Sequence, residues 1–184
     1  SLRLIPNLNV WRPADSVEVV TAWKEAISCT TGPTAILLSR QKLKCFKRNP
    51  TAIKSISYGA YQLRNVRSPD ILIVATGSEL NIAENSADIL KKEYNLLATI
   101  ISIPSTTEFD KQTTQYKEKI LPQLIPKLII EAGTTDFWWK YKPDAVLGVD
   151  TFGESAPGQD LYNLYGITEE TVIKTVLMIL KKGN

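Results

Sequence analysis

Short apolar runs alternate along this chain with segments of helical period. The clearest unit is ILIVATGSELNIAENSADIL, residues 71–90, where an apolar run enters a glycine turn and then a helix-like pattern. A continuous apolar run of this kind is typical of a strand that a parallel sheet buries on both faces. Because the alternation continues toward the C-terminus, the sequence predicts βα units and a mostly parallel sheet with helices on both faces.

The pattern assigns a type to most segments after the first 50 residues. The predicted strands are YGAYQLR, DILIVATG, LLATIISI, KLIIE and AVLGV. The predicted helices are residues 79–94, a segment near TTQYKEKIL, and EETVIKTVLMILKK. PSTTEFD and the aromatic segment TDFWWKYKP are predicted loops.

The first 50 residues carry a helix, a strand and a linker. Asp15, with Glu18 three residues later, predicts an N-capped helix over DSVEVVTAWKEAISC. GPTAILLS is too short for a helix and predicts a buried strand that ends at Ser39 and Arg40. KLKCFKRNP, residues 42–50, is basic and has no clear period, so we expect a linker there.

Composition excludes several functional classes. A net charge of +3 from 22 basic and 19 acidic residues leaves no long basic run, so we expect neither nucleic-acid nor anionic-membrane binding. No apolar segment reaches the roughly 18 to 20 residues of a membrane span, and no secretion signal is visible, which predicts a soluble, cytoplasmic chain. Cys29 and Cys45 lack metal-ligand spacing and are predicted to be reduced thiols.

The chain contains no histidine. Histidine is the commonest general base at neutral pH and the commonest ligand of catalytic zinc. Its absence disfavours a self-sufficient enzyme. It also excludes a hydrolase built on Ser155 in TFGESAPG, because no imidazole exists to activate that hydroxyl and no nucleophile-elbow motif is present.

The turn after the apolar run ILIVA has two interpretations. A dinucleotide fingerprint needs three glycines, whereas ATGSEL supplies only Gly77. Thr76 followed by Glu79 fits a capping box, in which the two side chains satisfy the amides that a phosphate would use. We therefore expect a structural turn, and a phosphate site is the weaker alternative.

Other chemically suggestive groups favour structural roles. Glu108 and Asp110 resemble paired carboxylates but lie in a predicted loop without an identifiable partner. Glu131 ends a predicted strand, where a structural contact is the favoured interpretation. Dense aromatic residues are more often core or interface anchors than ligand platforms; here they are Phe137, Trp138, Trp139 and Tyr141.

Five blocks of the sequence carry a resemblance to one family. They are IPNLNVWRPADSVEVVTAWKEAI, GPTAILLSRQKL, ILIVATGSELNIA, SIPSTTEFDKQTTQYKEKILP and TFGESAPGQDLYNLYGIT. In order and spacing the chain resembles the C-terminal part of the transketolase family over nearly its whole length. The basic segment KLKCFKRNP departs from the family pattern, so the domain linker is the least secure boundary.

The resemblance implies a fold and a reaction. Residues 1–45 would be the tail of the middle, pyrimidine-binding domain, and residues 46–184 the C-terminal domain. The implied fold is α/β: a three-layer αβα domain whose five-stranded sheet is mostly parallel, with one strand antiparallel. The family uses thiamine diphosphate and a metal ion, Mg²⁺ or Ca²⁺, to transfer a two-carbon ketol unit from a ketose phosphate to an aldose phosphate in the pentose phosphate pathway.

The resemblance places the coenzyme on parts of the enzyme that this chain lacks. The family's metal-binding GDG motif is missing, so we expect neither coenzyme nor metal on these residues alone and no catalytic residue among them. The implied partners are the remaining domains of the same chain, the second subunit of a homodimer and sugar phosphates.

Arg40 is the one site residue that the resemblance assigns. In LSRQ it matches the arginine that contacts the substrate phosphate in transketolases. Its place after a predicted buried strand suits a side chain that reaches a cleft at the carboxyl edge of a sheet. The planar guanidinium can donate two parallel hydrogen bonds to phosphate oxygens, which lysine does not reproduce.

Two other functions compete with an inactive part of a transferase. One is a free-standing interaction or regulatory module that kept the fold and lost the chemistry. The other is a small nucleotide-binding protein, which the single-glycine turn supports only weakly. If the chain is part of a larger enzyme, the helix around Val20 and the strand around Leu37 lack cover, and the exposed apolar area favours self-association.

Overall fold

The computed structural model describes residues 2–182, which form seven strands and seven α-helices. The strands are β1 (Asn9–Trp11), β2 (Thr34–Ile36), β3 (Tyr61–Arg64), β4 (Ile71–Ala75), β5 (Ala98–Ser102), β6 (Lys127–Ile130) and β7 (Ala145–Leu147). The helices are α1 (Ser16–Ser28), α2 (Pro50–Ser55), α3 (Glu79–Tyr94), α4 (Thr106–Asp110), α5 (Thr114–Ile120), α6 (Gly158–Leu164) and α7 (Glu169–Lys182). Short 3₁₀ helices cover Leu2–Leu4, Ile56–Tyr58 and Asp136–Tyr141.

Five strands form one sheet in the order β3-β5-β4-β6-β7. β3 runs antiparallel to β5, and the other neighbouring pairs are parallel. The predicted fold class, a mostly parallel five-stranded sheet with one reversed strand, is confirmed. β1 and β2 pair in parallel as a separate two-stranded sheet, with Asn9 opposite Thr34.

Helices cover both faces of the five-stranded sheet. All five residues of β4 are buried, as expected of a central parallel strand. Successive residues point to opposite faces, so Ile73 packs in the core cluster of α3 and α7, whereas Val74 packs with Phe109 and Trp138. The sheet therefore separates two hydrophobic cores, as the alternating sequence pattern predicts.

The predicted cap of α1 is present. Asp15 is the N-cap, and its carboxylate accepts a hydrogen bond from the Glu18 backbone N–H at 3.1 Å. The Glu18 carboxylate reaches back to the Ala14 N–H at 2.6 Å. The two carboxylates thus satisfy backbone donors at the helix start, which is the function of a capping box.

Several local predictions were wrong. The N-cap of α3 is Ser78, without a side-chain capping bond, while the Thr76 hydroxyl donates to the Arg12 carbonyl oxygen; the predicted Thr76–Glu79 capping box does not form. The predicted loop PSTTEFD contains α4, because the Ser105 hydroxyl caps a helical turn. The predicted aromatic loop is largely a 3₁₀ helix, and the sequence pattern missed α2 and α6.

The predicted linker is partly docked rather than free. Residues 42–49 have no regular structure, yet Phe46 is buried and its backbone N–H donates to the Asp15 carboxylate at 2.9 Å. Pro50, the last residue of the predicted linker, begins α2 behind the N-cap Asn49. The segment therefore joins the N-terminal elements to the sheet through specific contacts.

One face of α1 and the end of the β2 segment are exposed and apolar. Val20 is 69% exposed and Leu37 37%, and Trp23, Ile27 and Leu38 are exposed as well. The expected uncovered apolar surface is thus present. Self-association through it stays a prediction, and sedimentation velocity over a concentration series is the measurement that tests it. Within residues 2–182, no helix combines the length and apolar character that a membrane crossing requires.

Candidate functional site

A cavity of about 890 Å³ lies at the carboxyl ends of the parallel strands. Its wall includes the segments that follow β4, β6 and β7, and the residues directly after β1 and β2. Open α/β sheets bind ligands in the crevice outside the carboxyl ends of their strands. The position of the cavity therefore makes it the candidate site.

Arg40 lies on the wall of this cavity. It follows β2 in an exposed segment without regular structure, and the Gln41 backbone N–H donates to the Ser39 hydroxyl at 3.1 Å. None of the ion pairs within residues 2–182 involves its guanidinium. Its charge and its five N–H donors thus remain available to an anion in the cavity.

The glycine turn holds an arginine of the same chain. Gly77 has φ +59°, and a Cβ atom built there would lie 2.6 Å from Arg12 Nη1. Arg12 Nη1 donates to the Thr76 carbonyl oxygen at 2.5 Å and pairs with the Glu79 carboxylate. The guanidinium therefore occupies the place next to the turn that a phosphate would need, which supports the structural interpretation of the turn.

Glu79 is the buried partner in this network. Its side chain is 0% exposed, and its Oε1 accepts from the Tyr162 hydroxyl at 2.7 Å and from the Ser78 hydroxyl at 2.9 Å. Burial lowers the pKa of Arg12, but the charge and hydrogen bond of Glu79 outweigh that effect and raise the pKa above its ordinary value. The ion pair connects Arg12, directly after β1, to the start of α3.

A second arginine–carboxylate pair lies at the end of β6. The Arg3 guanidinium donates to both oxygens of Glu131, at 2.5 and 2.6 Å, and Trp138 Nε1 donates to Oε2 at 2.6 Å. Burial raises the pKa of Glu131, but the Arg3 hydrogen bond and charge, with Arg12 and Trp138, lower it below its ordinary value. The structural contact predicted for Glu131 is thus with the N-terminal segment.

Comparison with known families identifies both parts of the chain. The family model described as the transketolase pyrimidine-binding domain matches residues 1–45, and the one described as the transketolase-like C-terminal domain matches residues 59–168.

The chain belongs to the transketolase family.

Individual transketolases match almost the whole chain. The transketolase of Buchnera aphidicola from Acyrthosiphon pisum is 43% identical over 185 residues, covering 98% of this chain. The transketolase structure from Leishmania mexicana has a TM-score of 0.91 at 36% identity and covers 98% of this chain and 26% of that one. A Pichia stipitis transketolase in complex with sedoheptulose 7-phosphate has a TM-score of 0.91 at 34% identity, covering 99% of this chain and 27% of that one. The chain spans about 28% of the length of the curated relatives it matches.

The remaining carboxylates singled out in this transketolase chain do not form a pair. Glu108 accepts from Asn9 Nδ2 at 2.5 Å and from Lys111 Nζ at 2.8 Å. Asp110 accepts from Lys140 Nζ at 2.6 Å and from the Tyr141 hydroxyl at 2.8 Å. Each carboxylate has its own partners, so the geometry gives no acid–base couple.

The aromatic segment and the serine motif have different environments in the structure. Trp138 is buried in the core and donates to Glu131, whereas Trp139 is half exposed. Phe137 and Tyr141 pack edgewise on Trp138 or each other and lie near cationic side chains. These aromatic residues thus act chiefly in packing.

Ser155 is exposed in the segment between β7 and α6 that borders the cavity.

Sequence reasoning missed Arg3, Arg12 and Tyr162. Arg12 stands in the distinctive block RPAD, directly after the apolar strand NVW. That spacing is a usable signal of a side chain at the carboxyl edge. Arg3 and Tyr162 carry no comparable local signal, because their partners lie 128 and 83 residues away in the chain.

Substituting Glu131→Gln is expected to make the stability of this transketolase chain less sensitive to acid. Because the folded pKa of Glu131 is lowered, its carboxylate contributes stability that is present above its ordinary value of 4.5 and is lost as pH falls through the lowered pKa. The variant lacks this contribution, so it is less stable at about pH 7, and its curve approaches that of the parent chain as pH falls below 4.5 through the lowered pKa. Urea unfolding across that range measures the difference, and the exposed Glu93→Gln serves as the control. Parallel pH curves for the parent chain and Glu131→Gln would contradict this expectation.

Proposed function

We propose that this chain forms the C-terminal part of a transketolase, which transfers a two-carbon ketol unit between ketose and aldose phosphates of the pentose phosphate pathway. Within it, Arg40 binds the phosphate of the sugar. The observation that carries the assignment is an exposed guanidinium, free of internal ion pairs among the described residues, on the wall of the cavity at the carboxyl edge. A sugar phosphate supplies the dianion that such a group recognises.

The domain division follows the same proposal. Residues 1–45 are the tail of the pyrimidine-binding domain, and residues 46–184 are the C-terminal domain. The small β1–β2 sheet supports a separate origin for the first part, since it does not join the five-stranded sheet. The contacts of Arg3 and Arg12 with Glu131 and Glu79 hold the two parts together.

The described residues do not fit the coenzyme that the family uses. Within residues 2–182, no group of three or more histidines, cysteines and carboxylates is arranged to hold a metal ion. Glu79 and Glu131, the buried carboxylates nearest the cavity, are paired with arginines, and Arg12 occupies the glycine turn. We therefore assign thiamine diphosphate and its divalent ion, Mg²⁺ or Ca²⁺, to other parts of the enzyme.

The proposed partners are the remaining domains of the enzyme, a second subunit in a homodimer, and sugar phosphates. The exposed apolar side chains of α1, Val20, Trp23 and Ile27, support docking of further protein on that face. The proposal places the enzyme in the cytoplasm, without a nucleic-acid or membrane partner. The 184 residues alone are proposed to be inactive, so ketol transfer by this chain with added thiamine diphosphate and Mg²⁺ would contradict it.

The role of Arg40 is tested by Arg40→Ala in the complete transketolase. We expect KM for sugar phosphates to rise at least about tenfold, because a charge-assisted contact to the phosphate is lost. An unphosphorylated ketose makes no such contact, so its kcat/KM stays unchanged. Steady-state kinetics with a phosphorylated and an unphosphorylated ketose donor measures the two effects separately.

Two further variants sharpen this experiment. Arg40→Lys keeps the charge but loses the planar pair of donors, so we expect an intermediate KM. The exposed Arg67→Ala lies outside the cavity and is expected to match the parent enzyme. An unchanged KM for sugar phosphates in Arg40→Ala would refute the assignment.

A further inference from the structure

A second pocket, of about 320 Å³, lies at the amino edge of the sheet. It is formed where β6 begins, between α5 and the 3₁₀ helix Asp136–Tyr141, and shares no lining residue with the cavity of Arg40. Four of its lining residues are lysines: Lys117, Lys127, Lys140 and Lys142. We call it the lysine pocket.

Lys127 is a buried cation without a carboxylate partner among residues 2–182. The residue is 4% exposed, and its Nζ donates to the carbonyl oxygens of Pro122 and Ile125, both at 3.2 Å. The nearby Asp144 carboxylate accepts from the Lys127 backbone N–H at 2.8 Å instead. A buried charge that is offset only by carbonyl dipoles is costly. Burial accordingly lowers the pKa of Lys127, and Asp144 offsets this only in part.

The other three lysines add positive charge around this group. Lys117 Nζ donates to the Asp110 carbonyl oxygen at 2.5 Å, and Lys140 Nζ pairs with the Asp110 carboxylate at 2.6 Å. Lys142 is exposed and takes part in none of the ion pairs of the described residues. Glu118 lines the pocket, Asp110 pairs with Lys140 and Asp144 lies beside Lys127, so the four cations face three carboxylates. The local charge stays positive.

We propose that the lysine pocket binds the phosphate group of a small phosphorylated metabolite, at a site separate from the Arg40 cavity. A phosphate offers several acceptor oxygens to ammonium donors that come from different elements, and lysine binds phosphate as a point charge. A bound phosphate would also supply the negative charge that Lys127 lacks among its contacts. The side chains of Leu121 and Tyr141 on the wall, which are only partly buried, provide an apolar surface for the carbon skeleton.

The proposal is tested by titrating the ¹⁵N-labelled chain with inorganic phosphate and pyrophosphate at constant ionic strength. The chain carries Arg40→Ala, so the cavity of the proposed function does not contribute. We expect saturable amide shifts confined to residues 117–127 and 140–142, with pyrophosphate the tighter ligand. Lys117→Gln/Lys142→Gln should weaken binding about tenfold or more, since two charged donors are removed.

A matched control is Lys91→Gln/Lys92→Gln, which removes the same charge from the exposed end of α3 and should bind as the parent does. Lys127→Met is expected to fold, because it removes an unpaired buried charge, and to lose the rise in Tm that pyrophosphate gives the parent. Absence of saturable shifts at these residues would overturn the proposal. Equal weakening by both double variants would do so as well, since it would indicate nonspecific attraction to net charge.

Discussion

Replacing Arg48 with methionine is expected to lower the free energy of unfolding by about 3 to 5 kcal/mol. The guanidinium lies between two buried carboxylates, with Nη1 2.6 Å from Asp15 Oδ2 and Nη2 3.5 Å from Glu18 Oε1. The side chain of Arg48 is 1% exposed, as is that of Asp15, and that of Glu18 is 0%. Methionine fills much of the volume but leaves both carboxylates without a countercharge.

Two further hydrogen bonds converge on the buried carboxylate of Glu18 that Arg48 contacts. Tyr61 accepts from Arg48 Nε at 2.7 Å and donates to Glu18 Oε1 at 2.7 Å, and the Ser102 hydroxyl donates to the same oxygen at 2.6 Å. Burial already raises the pKa of Glu18, against the effect of its hydrogen bonds and of Arg48. Without the guanidinium, Glu18 takes up a proton more readily.

A matched control for Arg48→Met is Arg64→Met. Arg64 also pairs with two carboxylates, those of Glu84 and Asp88, but its side chain is 29% exposed and that of Asp88 is 68%. Water compensates for such a pair, so we expect a loss of about 0.5 to 1 kcal/mol. Urea unfolding followed by tryptophan fluorescence gives both values. If the two variants lost the same free energy of unfolding, burial of the ion pair would not explain the loss in Arg48→Met.

Arg12→Met is expected to lower the free energy of unfolding by about 3 kcal/mol. Arg12 is the partner of the fully buried Glu79 and also donates to the Thr76 carbonyl oxygen at 2.5 Å. Its backbone is anchored too, since its N–H donates to the Pro104 carbonyl oxygen at 2.7 Å. Removing the guanidinium leaves Glu79 with the Tyr162 and Ser78 hydroxyls only.

A double-mutant cycle with Glu79→Gln isolates the ion pair from the other contacts of Arg12. In Arg12→Met/Glu79→Gln no charge is left unpaired, so the double variant should lose clearly less than the sum of the two single losses. Chemical denaturation of the four proteins at neutral pH supplies the coupling energy. Additive losses would show that the ion pair contributes nothing beyond the packing of each side chain.

These buried pairs connect the N-terminal elements to the five-stranded sheet. Arg12 and Arg3 connect the N-terminal segment to the ends of β4 and β6, and Arg48 connects the start of α1 to β3. Glu18 of α1 accepts a hydrogen bond from Ser102 of β5. The segment that carries Arg40 follows β2, which pairs with β1, and its Leu37 N–H donates to the Trp11 carbonyl oxygen at 2.8 Å.

Much of the fold follows from the sequence. The period of the apolar residues predicted all five strands of the main sheet, and the helices α3, α5 and α7, because an element's period depends only on residues near one another in the chain. The cap of α1 was predictable for the same reason, since Asp15 and Glu18 are three residues apart. The short helices α2 and α6 were missed because one or two turns show little periodicity.

The sequence by itself determined the order and type of the long elements and the cap of α1. It predicted a buried strand ending at Ser39 and Arg40, whereas β2 ends at Ile36 and its three residues are only partly buried. Only the tertiary structure decided that Arg12 lies in the glycine turn, that Arg48 pairs with two buried carboxylates, and that Lys127 is buried without a carboxylate partner among residues 2–182. The physical reason is the distance along the chain. Glu79 is 67 residues from Arg12 and Asp15 is 33 from Arg48, so these contacts exist only once packing brings the elements together and removes the water between their charges.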